Sequence, residues 1–308
     1  MKIGIIGGAG RVGASTAFHL LAERLVRKLV LVDILEDAVK GEREDMLQCT
    51  SVTGYCEIVA DKSAKAVHDC DIVIIPAGSR RRPDQSRLEL IKVNVGILDM
   101  AVDEIKEVNP NCILITVVNP VDVLNLRAYK RSGFPAERVI GLGNLVDTVR
   151  FRSYLAERFG WNPKDVTAFL CGEHGDSMVP IWSQASYAGI KLDSISGVSW
   201  ESLNEVYEKN RKAGAEMIRL KGGAAWAVAV ATAELVRAIK YDEKRVLPVS
   251  VVPQGAYGIT EETSISLPAI IGSKGVEGFL DAQFTDAEIE GLRKSAKIIV
   301  DTYKEIEG

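Results

Sequence analysis

Residues 2–13 read KIGIIGGAGRVG, and a second apolar run, LVLV at 29–32, ends on Asp33. A short aliphatic run meeting glycines spaced G-x-G-x-x-G predicts a strand, a tight turn and the opening of a helix. Gly8 permits the turn, Gly10 lets the backbone approach a pyrophosphate, and Gly13 lets helix and strand pack closely. The first helical N–H groups then face negative phosphates. Taken singly, the glycines read as an ordinary turn and Asp33 as a helix cap. Taken together, with the acid about 20 residues on at the end of a second strand, they predict a dinucleotide fold. Asp33 would accept hydrogen bonds from the adenine ribose hydroxyls and repel a 2′-phosphate.

Outward from this motif, short apolar runs alternate with helical patterns. Strands are expected at Ile3–Gly7, Lys28–Asp33, Asp71–Pro76, Cys112–Val117 and Arg138–Gly141. Helices are expected at Val12–Val26, Glu36–Leu47, Arg87–Glu107 and Val121–Arg131. Near-continuous Val, Ile and Leu in the strands implies burial on both faces, as in a parallel sheet covered by helices. The fold class read from this order is α/β: a Rossmann-type doubly wound parallel sheet followed by an α+β catalytic domain. In the second half the rhythm changes. A helix starts near Asp147, a strand covers Val166–Leu170, and helices cover Glu201–Arg219 and Gly223–Lys240. Strands at Val246–Val252 and Thr263–Ile271 precede a terminal helix at Asp286–Glu305. No linker separates the halves, so the junction is placed near Gly143, giving domains 1–143 and 144–308.

Composition narrows the function. The 308 residues are 47% hydrophobic and 26% charged, ordinary for soluble protein. A net charge of −4 lacks the basic excess of a nucleic-acid binder. Five cysteines without a C-x-x-C pair suggest reduced thiols in a cytoplasmic protein, and no metal-ligand spacing is present. The apolar amino terminus is broken by glycines too early for a secretory signal, and the longest apolar stretch, 222–233, is too short for a bilayer.

Four further segments carry chemistry. In GEHGD at 172–176, a histidine between glycines follows a strand, where a short loop can aim an imidazole into a cleft. The plainer reading is a solvated turn, and a metal site of His174 with Glu173 or Asp176 has no further ligand spacing to support it; His19 and His68 read as packing or surface histidines. In DTVR at 147–150, Asp147 and Arg150 share a helix face. They are either an N-cap and its ion-pair partner, or an acid that orients His174 and a fork for a substrate carboxylate. The segment AGSRRRPDQSR at 77–87 leaves the carboxyl end of a strand, where such folds bind ligands; Gly78 offers a hinge. A solvated charge run is its plain alternative. Asn119, before Pro120, is a turn residue or an amide that binds the substrate oxygen and seats a nicotinamide.

In this order, over nearly the whole chain, these segments resemble the lactate/malate dehydrogenase family. The resemblance extends to SGFP at 132–135, KGGAAW at 221–226 and QGAYGI at 254–259. It implies that His174 is the catalytic acid/base, Asp147 its partner, Arg150 the C1-carboxylate ligand and Arg87 the group that polarises the ketone. Asn119 carries over as a contact to both substrate and cofactor. The implied cofactor is NAD, held by Gly8, Gly10, Arg11, Val12, Gly13, Asp33, Ala77, Gly78, Asn94, Val117 and Asn119. Two departures stand out: Gly7 precedes the glycine motif, and the loop reads RRRPDQ where malate enzymes of the family often have PRKPGM. Counting back from Arg87, the substrate-selecting position falls on Arg81, where lactate enzymes usually carry Gln. Arg80 and Arg82 flank it, and a one-residue difference in loop conformation would exchange their roles. Ala224 matches a position where lactate enzymes typically carry Thr. Malate and oxaloacetate are thus the expected substrates, and a homo-oligomer, dimer or tetramer, is the expected assembly. Lactate or another 2-hydroxy acid is the nearest alternative, and a non-catalytic NAD-binding module the alternative of another class.

Overall fold

The computed structural model of the chain describes residues 1–79 and 87–307. The first half runs β1 (Lys2–Ile6), α1 (Arg11–Ala22), β2 (Lys28–Val32), α2 (Glu36–Thr53), β3 (Glu57–Asp61), β4 (Ile72–Ile75), α3 (Arg87–Val108), β5 (Ile113–Thr116), α4 (Val121–Ser132), β6 (Val139–Gly141) and α5 (Leu145–Phe159). Strands β3-β2-β1-β4-β5-β6 lie side by side in that order, all parallel. This is the α/β, Rossmann-type arrangement expected from the alternating pattern. The order reverses between β1 and β4, and in such sheets ligands bind outside the carboxyl ends of the strands at that point.

The strands alternate strictly between two cores. Ile3, Ile5, Leu29, Leu31, Ile72, Ile74, Ile113 and Ile115 face one. Ile6, Val30, Val32, Val73, Ile75 and Leu114 face the other, under Leu98 and Val102 of α3. Each fully buried aliphatic side chain contributes about 1.5–3 kcal/mol. Burial on both faces explains why these strands read as unbroken apolar runs.

The second half adds β7 (Val166–Thr167), β8 (Leu170–Cys171), β9 (Val179–Pro180), β10 (Ser186–Tyr187), β11 (Ile190–Lys191), α6 (Trp200–Lys221), α7 (Trp226–Lys240), β12 (Arg245–Val251), β13 (Ile265–Gly272), β14 (Gly275–Phe279) and α8 (Asp286–Glu307). The single strand expected at Val166–Leu170 is two. β7 joins β10 and β11, whereas β8 pairs with β9. β12, β13 and β14 do not form a sheet of their own. They add antiparallel to β6 and complete a nine-stranded sheet that runs past residue 143. β3 was not expected; it is an edge strand with one buried residue, so its sequence lacks the apolar run that marks its neighbours. α7 packs on both α1 and α5, joining the glycine-motif helix to the helix that carries Asp147 and Arg150. Among the described residues, no helix is long and apolar enough to cross a membrane.

Candidate active site

The glycine loop closes β1 onto α1. Its positive φ, +95°, falls on Gly7 rather than Gly8, one residue ahead of the expected turn position. A Cβ on Gly7 would also lie 2.9 Å from Ala77 Cα, so the loops after β1 and β4 abut. A Cβ on Gly8 would press on Leu31, and one on Gly13 would stand 2.0 Å from the Gly7 carbonyl oxygen. The motif glycines therefore answer close packing first. Gly10 is the N-cap of α1 and supplies no side-chain cap, so the N–H groups of the first turn, from Arg11, Val12 and Gly13, are left for a ligand. Asp33, at the end of β2, accepts from the N–H of Ala9 and of Leu35, each at 3.1 Å. A carboxylate so oriented, beside bare helix N–H groups and a turn with no side chain larger than the Ala9 methyl, fits a dinucleotide.

The loops after β4 and β5 are tied together beside it. Asn94 of α3 is buried; its Oδ1 accepts from Ser79 N–H at 2.7 Å and its Nδ2 donates to the Asn119 carbonyl at 2.9 Å. A Cβ on Gly78 would meet Val118 Cγ2 at 2.3 Å. Ala77, Gly78, Val117, Asn119 and Asn94 thus lie together at the carboxyl ends of β4 and β5. Arg11 behaves differently from its motif neighbours. Its guanidinium crosses to the turn between α6 and α7 and donates to the carbonyls of Lys221 and, at 3.3 Å, Gly223. Arg81 lies outside the described residues, as does the side chain of Arg87, whose backbone opens α3.

His174 sits on the loop after β8. Its Nδ1 bonds Asp147 Oδ2, and Arg150 Nη1 donates to Asp147 Oδ1 at 2.7 Å. Asp147 is almost fully buried, Arg150 is 12% exposed and His174 is 22% exposed. Burial opposes charge on the imidazole, but Asp147 outweighs it and holds His174 above its ordinary value. Burial likewise pushes Asp147 up, and His174 and Arg150 together hold it below the usual carboxylate range. With Nδ1 committed to a carboxylate, Nε2 is the ring nitrogen left to exchange a proton.

One residue at this site carried no signal in the sequence. Asp122, in the first turn of α4, is 2% exposed. It accepts the backbone N–H of His174 at 2.7 Å and the Ser250 hydroxyl at 2.6 Å. Burial pushes its carboxyl up to about 6, against the pull of those two donors. An acid two residues after a proline reads simply as a first-turn residue favoured by the helix dipole. The His174 loop is fixed from other sides as well. Asn144 donates to the carbonyls of Gly172 and Glu173, Ser266 pairs with Gly172, and Ser295 accepts from Glu173 N–H at 2.5 Å. Among the described residues no cluster of acids, histidines and thiols is placed to hold a metal ion.

Two family descriptions match the chain. "Lactate/malate dehydrogenase, NAD binding domain" covers residues 1–141, and "lactate/malate dehydrogenase, alpha/beta C-terminal domain" covers 145–307. The L-lactate dehydrogenase B chain of Homo sapiens is 36% identical over 99% of this chain and 92% of its own length. A malate dehydrogenase of Anoxybacillus flavithermus is 38% identical over 98% of this chain and 97% of its own. The crystal structure of a lactate dehydrogenase from a deep-sea metagenome library superposes with a TM-score of 0.95 at 31% identity, covering 100% of this chain and 99% of that one. The chain belongs to the lactate/malate dehydrogenase family of NAD-dependent oxidoreductases.

Proposed function

We propose that this member of the lactate/malate dehydrogenase family is an NAD-dependent malate dehydrogenase, catalysing malate + NAD⁺ ⇌ oxaloacetate + NADH + H⁺. The observation that carries the choice of malate is Arg81, six positions before Arg87, together with Ala224. The second carboxylate of oxaloacetate needs a partner in a water-poor site, since an unpaired buried charge costs several kcal/mol. Arg81 supplies that partner; with pyruvate it would itself be unpaired, so one side chain attracts the first substrate and rejects the second.

The bare N–H groups of the α1 first turn and the Asp33 carboxylate would hold NADH, which would supply the hydride to the keto carbon. His174, protonated, donates from Nε2 to the carbonyl oxygen; in malate oxidation the neutral imidazole takes that proton back. Asp147 fixes the ring through Nδ1 and favours its charged form. Arg150, placed beside Asp147, offers its remaining N–H groups to the C1 carboxylate. Arg87 stabilises the charge developing on the carbonyl oxygen, and Asn119 holds the same oxygen from the other loop. The proposal divides the labour at residue 143, with 1–143 binding NAD and 144–308 the substrate side. It places the enzyme in the cytoplasm as a homo-oligomer, dimer or tetramer; five free thiols support a reducing compartment.

The test is NADH consumption with oxaloacetate, with pyruvate and with neither. Faster turnover with oxaloacetate is expected. A preference for pyruvate would make the chain a lactate dehydrogenase, and no consumption with either ketoacid would leave a binding module.

A further inference from the structure

Arg11 stands at the first position of α1, in the loop that receives the coenzyme phosphates, yet its side chain is spent elsewhere. Its guanidinium caps the carboxyl end of α6, 210 residues away, through the carbonyl of Lys221, and reaches Gly223 at 3.3 Å. A cation at a helix carboxyl end is favoured by the exposed carbonyls and the helix dipole. The turn it grips is tightly built. Gly222 ends α6 at φ +75° and Gly223 follows at +127°, values that suit glycine, with their N–H groups returned to Ile218 and Met217. A Cβ on Gly222 would lie 3.6 Å from Arg11 Nη2, so the guanidinium rests against the turn itself. Beyond the turn, buried Ala225 caps α7, and α7 packs on α5, the helix that carries Asp147 and Arg150.

We propose that Arg11 is a positioning residue that couples the coenzyme half to the substrate half: its backbone N–H lies at the phosphate site while its guanidinium holds the α6–α7 turn, and through α7 the Asp147–Arg150 helix. Resting on the dehydrogenase reading above, this gives the side chain a task that a phosphate ligand would not have. Ordering of the α1 amino end by coenzyme steadies Arg11, and Arg11 steadies the turn. Coupling of this kind is reciprocal: whatever NADH adds to substrate affinity, substrate adds to NADH affinity. Lys221 also lies 5.2 Å over the ring of exposed Trp226, which places a fluorescent reporter on the turn.

The experiment measures NADH affinity by NADH fluorescence, with and without hydroxymalonate, and again with oxamate. The ratio of the two affinities is the coupling factor. Wild type, Arg11→Ala, Arg11→Met and Arg11→Lys are compared, with melting temperature recorded for each. Ala and Met should cut the coupling factor about 5-fold or more, the low end of typical coupling, with Lys restoring part of it; the Trp226 response to NADH should shrink in parallel. If NADH affinity falls while the coupling factor stays at the wild-type value, Arg11 is a phosphate ligand and the proposal fails. A lower melting temperature with unchanged coupling reduces Arg11 to a helix cap and also overturns it. Preference for oxamate over hydroxymalonate would revise the substrate reading alone, since the factor is read with whichever analogue binds.

Discussion

Asp122 accepts the backbone N–H of His174 at 2.7 Å, from a helix 52 residues earlier in the chain. The bond puts a buried carboxylate on each side of the imidazole loop: Asp147 on the ring and Asp122 on the main chain. Asp122 opens the helix that follows Asn119, so the loop beside the expected nicotinamide and the loop of His174 share one anchor.

Asp122→Asn should lower turnover by about 10-fold or more, because an amide cannot accept from both His174 N–H and the Ser250 hydroxyl without leaving its own N–H groups unpaired. Its effect on stability should depend on pH. The folded carboxyl titrates near 6 instead of 3.8, so its protonated form favours the native state below pH 4 and that contribution is gone above pH 6. The melting-temperature deficit of Asp122→Asn relative to wild type should therefore be larger at pH 4 than at pH 7. A deficit independent of pH would mean that Asp122 does not carry this proton.

Asp147→Asn should cut ketoacid reduction at neutral pH by ~100-fold or more, since it removes the partner that orients His174 and favours its charge. Asp147 raises the His174 pKa in the folded protein. That contribution to stability is present below 6.5 and lost as pH rises through the higher folded value. The lowered Asp147 pKa contributes above 3.8 and is lost as pH falls through its folded value. Reduction, which needs imidazolium, should extend to higher pH in wild type than in the variant. Profiles of kcat/KM against pH in both directions measure this; coincident profiles would remove Asp147 from the mechanism.

Wild type should prefer NADH over NADPH, because the Asp33 carboxylate is already oriented by the N–H groups of Ala9 and Leu35 where a 2′-phosphate would meet it. Asp33→Ser should narrow the preference, measured as the ratio of kcat/KM for the two coenzymes. Equal use of both by wild type would defeat this reading of Asp33.

Arg81→Gln should lower kcat/KM for oxaloacetate at least ~100-fold, equivalent to about 3 kcal/mol of transition-state stabilisation. Activity with pyruvate should rise. Arg80→Gln and Arg82→Gln are controls expected to change the preference far less. A larger shift in either control moves the selecting position by one residue, and indifference in all three makes the segment a solvated charge run.

What the sequence by itself determined lies in patterns a few residues long. The glycine spacing with Asp33, the aliphatic runs of β1, β2, β4, β5 and β6, and the pairing of Asp147 with Arg150 on one helical face are all set by local periodicity. That Asp147 orients His174 was one of two readings open to the residues, and whole-chain resemblance favoured it. Tertiary structure alone decided the rest. β3 holds its place through backbone pairing with β2, which needs no apolar run. β12, β13 and β14 join β6 in one sheet because edge N–H and C=O groups seek partners wherever an edge is open, regardless of separation along the chain. Asp122 meets His174, and Arg11 meets Lys221, across 52 and 210 residues, with no repeat or spacing to announce either contact. A buried carboxylate or a helix end must find its donors somewhere, but only the folded chain selects which residues supply them.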